Sequence, residues 1–180
     1  MTPTTRLEAL LRATPASPVS EDAPPGAIAT ALARLRPIAP MFALFETMIA
    51  RDTSFGFGQL WMYPAVLARV PWDDGVLGDD EVCVGKNAAG DLYLLDVATG
   101  LVRLVIHDEG WESRYGGVTF DDLVYDRMWS ELENLEIDDV DDTDATYRAR
   151  LAFAIEVAGR DALSAELRDH LVGLGVIAPG

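Results

Sequence analysis

The sequence predicts an α+β fold, in which an antiparallel meander of about four strands is flanked by N-terminal and C-terminal helices. Three observations lead to this prediction. Apolar residues recur at helical spacing towards both ends of the 180-residue chain. The middle of the chain instead holds short apolar runs that are separated by turn residues. Hydrophobic residues make up 49% of the chain, which is enough to build a core of ordinary size.

The first 26 residues are expected to lie outside the main domain. Thr5 and Glu8 have the spacing of a capping box, which predicts a short N-terminal helix. Residues 14–26 contain four prolines and predict an extended linker. We therefore expect a helix and a proline-rich linker over residues 1–26, and a single α+β domain over residues 27–180.

Two further helices are expected before the sheet. The first has apolar residues at i, i+4 and i+7, namely Ile28, Leu32 and Leu35. The second runs from residue 40 to about residue 50, because the proline at its start suits the first turn of a helix. Its buried stripe is predicted to consist of Phe42, Phe45 and Ile49.

Four strands are predicted in the middle of the chain, over residues 59–63, 81–85, 92–97 and 101–106. The last two are joined by Ala-Thr-Gly, which is a good hairpin signal. Strands that follow one another through short turns pair in antiparallel order.

The C-terminal part is predicted to be helical. Thr119 followed by Asp122 predicts a capped helix over residues 120–133. Its inward residues are expected to be Phe120, Leu123, Val124, Met128 and Leu132. Two more helices are expected over residues 145–158 and 162–172, each followed by a glycine that can end it.

Residues that could carry chemistry are few. One cysteine and two histidines cannot build a usual structural zinc site, and no phosphate-binding motif is present, so we expect no metal and no cofactor.

Cys83 lies in an apolar strand pattern, which favours a buried and unreactive thiol. His107 is followed by Asp108 and Glu109 and is a candidate general base, but it has no partner motif. We therefore predict that the protein is not an enzyme.

Charge is the strongest compositional feature. The chain carries a formal net charge of −16, which disfavours nucleic acid as a partner and suits a basic protein. Residues 108–144 hold fourteen acidic residues and two arginines, a net charge of −12. A calcium-binding EF-hand loop that begins at Asp139 is excluded. Asp144 occupies the position that requires glycine, and Arg150 occupies the position of the final glutamate ligand. The segment is therefore either a solvated acidic loop or a docking face.

The docking interpretation names specific partner-binding residues. Its steering charges are expected to be Asp138, Asp139, Asp141 and Asp142. The four tryptophans are expected in the core. Trp72 and Trp111, which lie beside turns, are the pair more readily exposed and are the candidate anchors. No stretch of about 20 apolar residues is present and the N-terminus lacks the pattern of a signal peptide, so we expect a cytoplasmic protein with no membrane partner.

The predicted hairpin carries a recognisable motif. Gly90-Asp-Leu-Tyr-Leu-Leu-Asp96 precedes Thr-Gly-Leu-Val, and the chain there resembles the SUKH superfamily, which includes many bacterial immunity proteins. The resemblance extends through residues 41–46, 57–64, 81–85 and 118–124 and so covers about 40–132. The chain departs from the family pattern at two places. Members usually carry a Leu-Pro, and an Asn-Gly after their first helix, whereas this chain has Ile-Ala-Pro at 38–40 and Arg-Asp-Thr at 51–53. Immunity proteins of type VI secretion effectors share the Gly-Asp-Leu-Tyr signature and are the competing resemblance.

The resemblance implies a protein that acts by binding, and it brings no catalytic residues. We therefore expect an immunity protein that neutralises a basic toxin, for example a nuclease, by occlusion. The alternative is an acidic scaffold or regulatory module that binds a cellular protein. A third and least favoured hypothesis is an enzyme that uses His107, Asp108 and Glu109.

Overall fold

A computed structural model describes residues 23–57, 59–69, 77–109, 112–140 and 143–180. The predicted N-terminal helix, and most of the predicted linker, lie outside these residues. The α-helices of the described part are α1 (Pro25–Arg34), α2 (Ala39–Arg51), α3 (Phe120–Glu133), α4 (Ala145–Ala158) and α5 (Ala165–Gly173). Its strands are β1 (Phe55–Phe57), β2 (Leu60–Met62), β3 (Glu81–Lys86), β4 (Leu92–Asp96), β5 (Leu101–Ile106) and β6 (Glu112–Thr119).

The strands form one antiparallel sheet in the order β1-β2-β3-β4-β5-β6, so the predicted α+β class and meander are confirmed. The register places Cys83 opposite Leu94 and Tyr93 opposite Leu104. Because side chains alternate between the two faces of a strand, Tyr93 and Leu94 point to opposite sides of the sheet.

Two strands go beyond the four that were predicted. β1 is a three-residue Phe-Gly-Phe segment, which is too short to show an alternating pattern. β6 is the longest strand but contains Glu, Ser, Arg and two glycines, which are residues of low or neutral strand propensity. Both strands lie at the edges of the sheet. Pairing of β1 with β2 and of β6 with β5 stabilises the extended conformation, although the intrinsic strand propensity of their residues does not predict it.

The centre of the sheet is covered on both faces. Four consecutive residues of β4, from Leu92 to Leu95, are at most 2% exposed. On the side of Tyr93 the cover is α3, whose Arg127 lies over the tyrosine ring. On the side of Cys83 the cover is α1 and a 3-10 helix, Pro64–Ala68.

Helix α3 follows its prediction closely. The hydroxyl of Thr119 accepts a hydrogen bond from the backbone N–H of Asp122 at 3.1 Å, which is the predicted N-cap. The five apolar residues that were predicted to face inward are all buried. In this helix the sequence pattern and the packing agree.

The buried stripe predicted for α2 is right at Phe45, which is buried, and wrong at Phe42 and Ile49. Ile49 is 41% exposed and Phe42 is only partly buried. The residues that the helix buries are Met41, Leu44, Phe45 and Met48. The sequence offers two overlapping apolar stripes at helical spacing, and the packing of α2 against its neighbours decides which one is buried.

The C-terminal helices agree with prediction except at one boundary. Helix α4 ends before Gly159, whose φ of 90° favours glycine. Helix α5 begins at Ala165 rather than residue 162, because Ser164 accepts a hydrogen bond from the N–H of Leu167 at 3.2 Å. Within the described ranges, no helix is long and apolar enough to cross a membrane.

Strands β2 and β3 approach each other closely at Gly85. A Cβ atom at this position would lie 2.8 Å from Cδ1 of Leu60 and 3.1 Å from the carbonyl oxygen of Trp61. The leucine tip can move, but the backbone oxygen of a paired strand cannot move without disturbing the sheet.

We predict that Gly85→Ala lowers the free energy of unfolding by about 1–3 kcal/mol, because the added methyl group overpacks this contact. Urea unfolding followed by circular dichroism would measure it. The control is Gly173→Ala, where a Cβ would have nothing within 4 Å. A Gly85→Ala variant as stable as this control would contradict the prediction.

Candidate functional site

A cleft of about 510 Å³ lies between α3 and the sheet, on the side of β5 and β6. Its lining residues come from four elements and are Tyr93, Val102, Arg103, Leu104, Val118, Asp122, Leu123, Tyr125, Asp126 and Arg127.

The cleft has a buried floor and an exposed apolar mouth. Tyr93, Leu104 and Leu123 are at most 7% exposed and belong to the core. At the mouth, Val118 is 39% exposed and Tyr125 is 43% exposed. Two half-exposed apolar side chains beside one cleft favour a binding surface over scattered surface residues.

Arg127 is one of the two arginines that line the cleft, and Arg103 is the other. The guanidinium carbon of Arg127 lies 5.9 Å from the centroid of the Tyr93 ring. Its Nε is buried and has no hydrogen-bond partner among the described residues. A buried donor without an acceptor costs about 1–3 kcal/mol, and this nitrogen is enclosed by the protein rather than open to the cleft.

Tyr93 is held in place beneath this arginine. Its hydroxyl donates a hydrogen bond to the carbonyl oxygen of Gln59 at 3.1 Å. Burial raises the pKa of Tyr93, and the charge of Asp126 raises it further, although Arg127 opposes both effects. The phenol is therefore neutral at physiological pH and acts as a fixed platform for the guanidinium group.

The acids at the rim are exposed. Asp122 accepts a hydrogen bond from the hydroxyl of Thr119 at 2.6 Å. Asp126 lies one turn further along α3 and faces solvent. The cleft therefore combines apolar side chains with two arginines, Arg103 and Arg127, and two exposed carboxylates, Asp122 and Asp126.

The structure places only part of the predicted binding set. Asp138 is exposed on a 3-10 turn, Ile137–Asp139, shortly after α3. Asp141, Asp142, Trp72 and Trp111 lie outside the described residues, and nothing is described of the side chain of Asp139. Whether these six residues lie together therefore stays a prediction.

The two remaining tryptophans differ in burial. Trp129 is partly buried and packs against the core, and its ring centroid is 6.1 Å from that of Tyr125. Trp61, which was expected in the core, is 41% exposed, and that expectation is wrong. It stands over Gly56 on the neighbouring edge strand β1, where little of the ring can be covered.

His107 belongs to a polar cluster that ties the β3–β4 turn to the end of β5. Asp91, which is buried, accepts hydrogen bonds from the backbone N–H and the Nδ1 of His107 at 3.1 and 3.0 Å. It also accepts one from the side-chain amide of Asn87 at 2.8 Å. The Nε2 of His107 lies 2.9 Å from Asp108.

This geometry assigns His107 a structural role. Both ring nitrogens face carboxylates, and the hydrogen bond to Asp91 followed by the charge of Asp108 raises the pKa of His107. Burial tends to raise the pKa of Asp91, but the hydrogen bonds from Asn87 and His107 outweigh it and lower the pKa. A histidine whose two ring nitrogens both face carboxylates is poorly placed to remove a proton from a substrate.

Cys83 is buried, as predicted, at 1% exposure. Burial raises the pKa of its thiol to about 12, so the reactive thiolate is scarce at neutral pH. Across the described ranges there is no group of three or more His, Cys, Asp or Glu residues that could hold a metal ion.

The chain has no significant match among protein-family models, curated proteins or solved structures. The resemblance to the SUKH superfamily therefore stays a prediction that rests on the residues of the central hairpin. Sequence reasoning also missed the cleft, because its walls come from segments far apart in the chain. The available signal was Tyr125, an aromatic residue on the side of α3 away from the predicted core stripe.

We predict that the Asp91–His107 pair makes stability depend on pH in both directions. The contribution of His107 is complete below its ordinary pKa of 6.5 and is lost as pH rises through the raised folded value. The contribution of Asp91 is present above its ordinary pKa of 3.8 and is lost as pH falls through the lowered folded value. His107→Asn should therefore be most destabilising, relative to wild type, between these two ordinary values.

Urea unfolding at a series of pH values would measure this difference. Asp108→Asn is the matched control, because the Asp108 side chain is 83% exposed and its removal should change the profile less. A loss of stability in His107→Asn that is the same at every pH would show that the pair is not the cause.

We also predict that Cys83 resists thiol reagents in the native state. A pKa near 12, against the ordinary value of 9.0, reduces the thiolate fraction about a thousandfold at pH 8. Labelling with a chromogenic disulfide should be slow in buffer and complete in urea. Fast labelling in buffer would show that the strand opens readily.

Proposed function

We propose that this chain is a non-enzymatic immunity protein that neutralises a basic toxin by binding and occluding it. The observation that carries the proposal is the cleft beneath α3, where the half-exposed Val118 and Tyr125 lie beside the exposed carboxylates of Asp122 and Asp126. An apolar centre inside a charged rim is the usual anatomy of a protein-binding surface.

The charge distribution favours a basic partner. Helix α3 and both sides of the cleft mouth lie within residues 108–144, which carry a net charge of −12. A surface of this sign attracts a positively charged protein and increases the rate at which the two meet. It repels nucleic acid, so direct binding to the substrate of a nuclease toxin is disfavoured.

Occlusion needs a larger area than the cleft provides. A stable interface buries about 1,200–2,000 Å² in total and depends on a few anchors near its centre. Val118 and Tyr125 are anchors that the structure adds to the predicted Trp72 and Trp111. The acids of residues 138–142 would form part of the rim. The resemblance to immunity proteins supports this assignment.

The test is capture of the partner followed by an assay of protection. The tagged chain is used as bait in cells of its source organism, with washes at about 0.1 and 0.5 M salt, since salt screens exposed charges. The captured protein is then expressed alone and together with the chain. A basic protein that arrests growth alone, and not in the presence of the chain, is the expected result. A harmless partner would overturn the immunity proposal and favour a regulatory module.

We predict that replacing Asp138, Asp139, Asp141 and Asp142 with Asn slows association with this partner by about tenfold and weakens its salt dependence. The dissociation rate should change less, because rim charges act mainly on encounter. Stopped-flow or surface plasmon resonance at several salt concentrations would measure both rates.

The control removes the same number of exposed acids outside residues 108–144, at Asp79, Asp80, Asp161 and Glu166. This variant has the same net charge as the first. If both variants slow association equally, the total charge is responsible and residues 138–142 are not a docking face.

A further inference from the structure

We infer that the outer face of α3 binds an arginine side chain of the partner protein. This face consists of Asp122, Tyr125, Asp126 and Trp129, and we call it the aromatic–acidic face. Its rings stack against the guanidinium group, and its carboxylates accept hydrogen bonds from it. The inference rests on the proposed function, because it takes the occupant to be a protein, and it names the side chain that this protein must present.

The spacing of the four residues places them on one side of the helix. They lie at i, i+3, i+4 and i+7, which is the spacing of residues that share a helical face. None of them is among the residues that α3 buries in the core. The aromatic–acidic face is therefore a continuous patch that the packing of α3 leaves accessible.

Tyr125 and Trp129 form an aromatic pair on this patch. Their ring centroids are 6.1 Å apart, and their planes are tilted by 31°. Trp129 is partly buried against the core, which holds its ring in place, whereas Tyr125 is 43% exposed. The faces of such rings are electron-rich and attract cations, and a planar guanidinium group also stacks on them. The pair is therefore a platform for a cation.

Asp122 and Asp126 supply hydrogen-bond acceptors beside the aromatic pair. They are exposed and lie one turn apart on α3. Residues at this spacing have Cβ atoms about 5–6 Å from each other. The hydroxyl of Thr119 donates a hydrogen bond to Asp122 at 2.6 Å and orients its carboxylate at the start of the helix. A guanidinium group donates in a planar fork that fits a carboxylate, so one arginine can use the rings and the acids together.

The charge around the face favours a cation. In the neighbouring cleft, Arg103 is paired with Glu81 at 2.6 Å, and Arg127 lies over the Tyr93 ring. Within residues 117–138, for the side chains that the structure describes, every exposed charged residue is an acid, namely Asp122, Asp126, Glu133, Glu136 and Asp138. Charge complementarity therefore selects a positively charged side chain as the occupant.

Two other occupants fit this face less well. A second copy of the chain also carries a net charge of −16, so two copies would repel each other. A lysine of the partner has the right charge, but its ammonium group is compact and strongly hydrated and has no planar surface to stack on the rings. The combination of rings and carboxylates therefore favours arginine over lysine.

The test uses three small probes that differ in their terminal group. They are the N-acetyl amides of arginine, of lysine and of citrulline, which is a neutral analogue of arginine. Each probe is titrated into the full chain at constant ionic strength, and binding is followed by two-dimensional NMR. We expect the arginine probe to shift the signals of Tyr125, Asp126 and Trp129. The lysine probe should bind about three- to fivefold more weakly, and the citrulline probe should give no saturable shift.

Variants of the protein assign the binding to the aromatic–acidic face. Tyr125→Leu keeps an apolar side chain but removes the ring, and it should weaken binding of the arginine probe about threefold, whereas Tyr125→Phe should not. Asp126→Asn should weaken it about fivefold. The matched controls are Trp61→Ala and Asp161→Asn, which change an exposed aromatic residue and an exposed acid elsewhere and should leave the affinity unchanged.

Four results with the probes would overturn the inference. Equal affinity for the arginine and lysine probes would show that charge alone is recognised. Equal losses in the two controls would place the binding outside this face. Tighter binding of the probe after Arg6→Ala and Arg12→Ala would show that the chain's own N-terminal segment occupies the face. Shifts of the Tyr125 signal that depend on protein concentration would assign the face to a second copy.

The captured partner separates this inference from the proposed function. The double variant Tyr125→Leu and Asp126→Asn should weaken binding of that partner at least tenfold. A toxin that binds the double variant and the wild type equally would overturn the inference and leave the proposed function standing. Arginine binding at the face together with a harmless partner would overturn the proposed function and leave the recognition of arginine standing.

Discussion

The burial of both faces of the central strands is the constraint on which the rest of the structure depends. A strand of a one-sided sheet buries every second residue, whereas β4 buries Leu92 to Leu95 without a break. Cover is therefore needed on both sides, and it comes from α3 on one face and from α1 with the 3-10 helix on the other. The cleft lies on the α3 side of the sheet, and its lining comes from β4, β5, β6 and α3.

The polar side chains divide into two groups with different roles. Some tie strands together, as in the ion pair of 2.6 Å between Arg103 and Glu81, which spans β4 on the face away from α3. Burial tends to raise the pKa of Glu81, but the hydrogen bonds from Arg103 and from the N–H of Gly78 lower it. The acids at the mouth of the cleft are instead exposed, which leaves their charge to act on solvent and on partners.

The cleft carries charges of both signs. Arg103 and Arg127 line it together with Asp122 and Asp126. Arg127 lies over the Tyr93 ring, and Arg103 is paired with Glu81. Net charge alone would have described this surface as uniformly acidic, and it would have missed the two arginines.

The sequence by itself determined the fold class, the meander and the helices whose signals are local. Thr119 and Asp122 adjoin each other in the chain, so the cap and the buried stripe of α3 could be predicted from it. Tertiary structure alone decided that Ile49 is exposed, that β1 and β6 are strands and that Val118, Tyr125 and Arg127 line one cleft. The physical reason is that these features depend on how elements pair and pack rather than on local propensity. β1 and β6 are strands because they pair with β2 and β5, and the packing of the helices decides which side chains stay exposed.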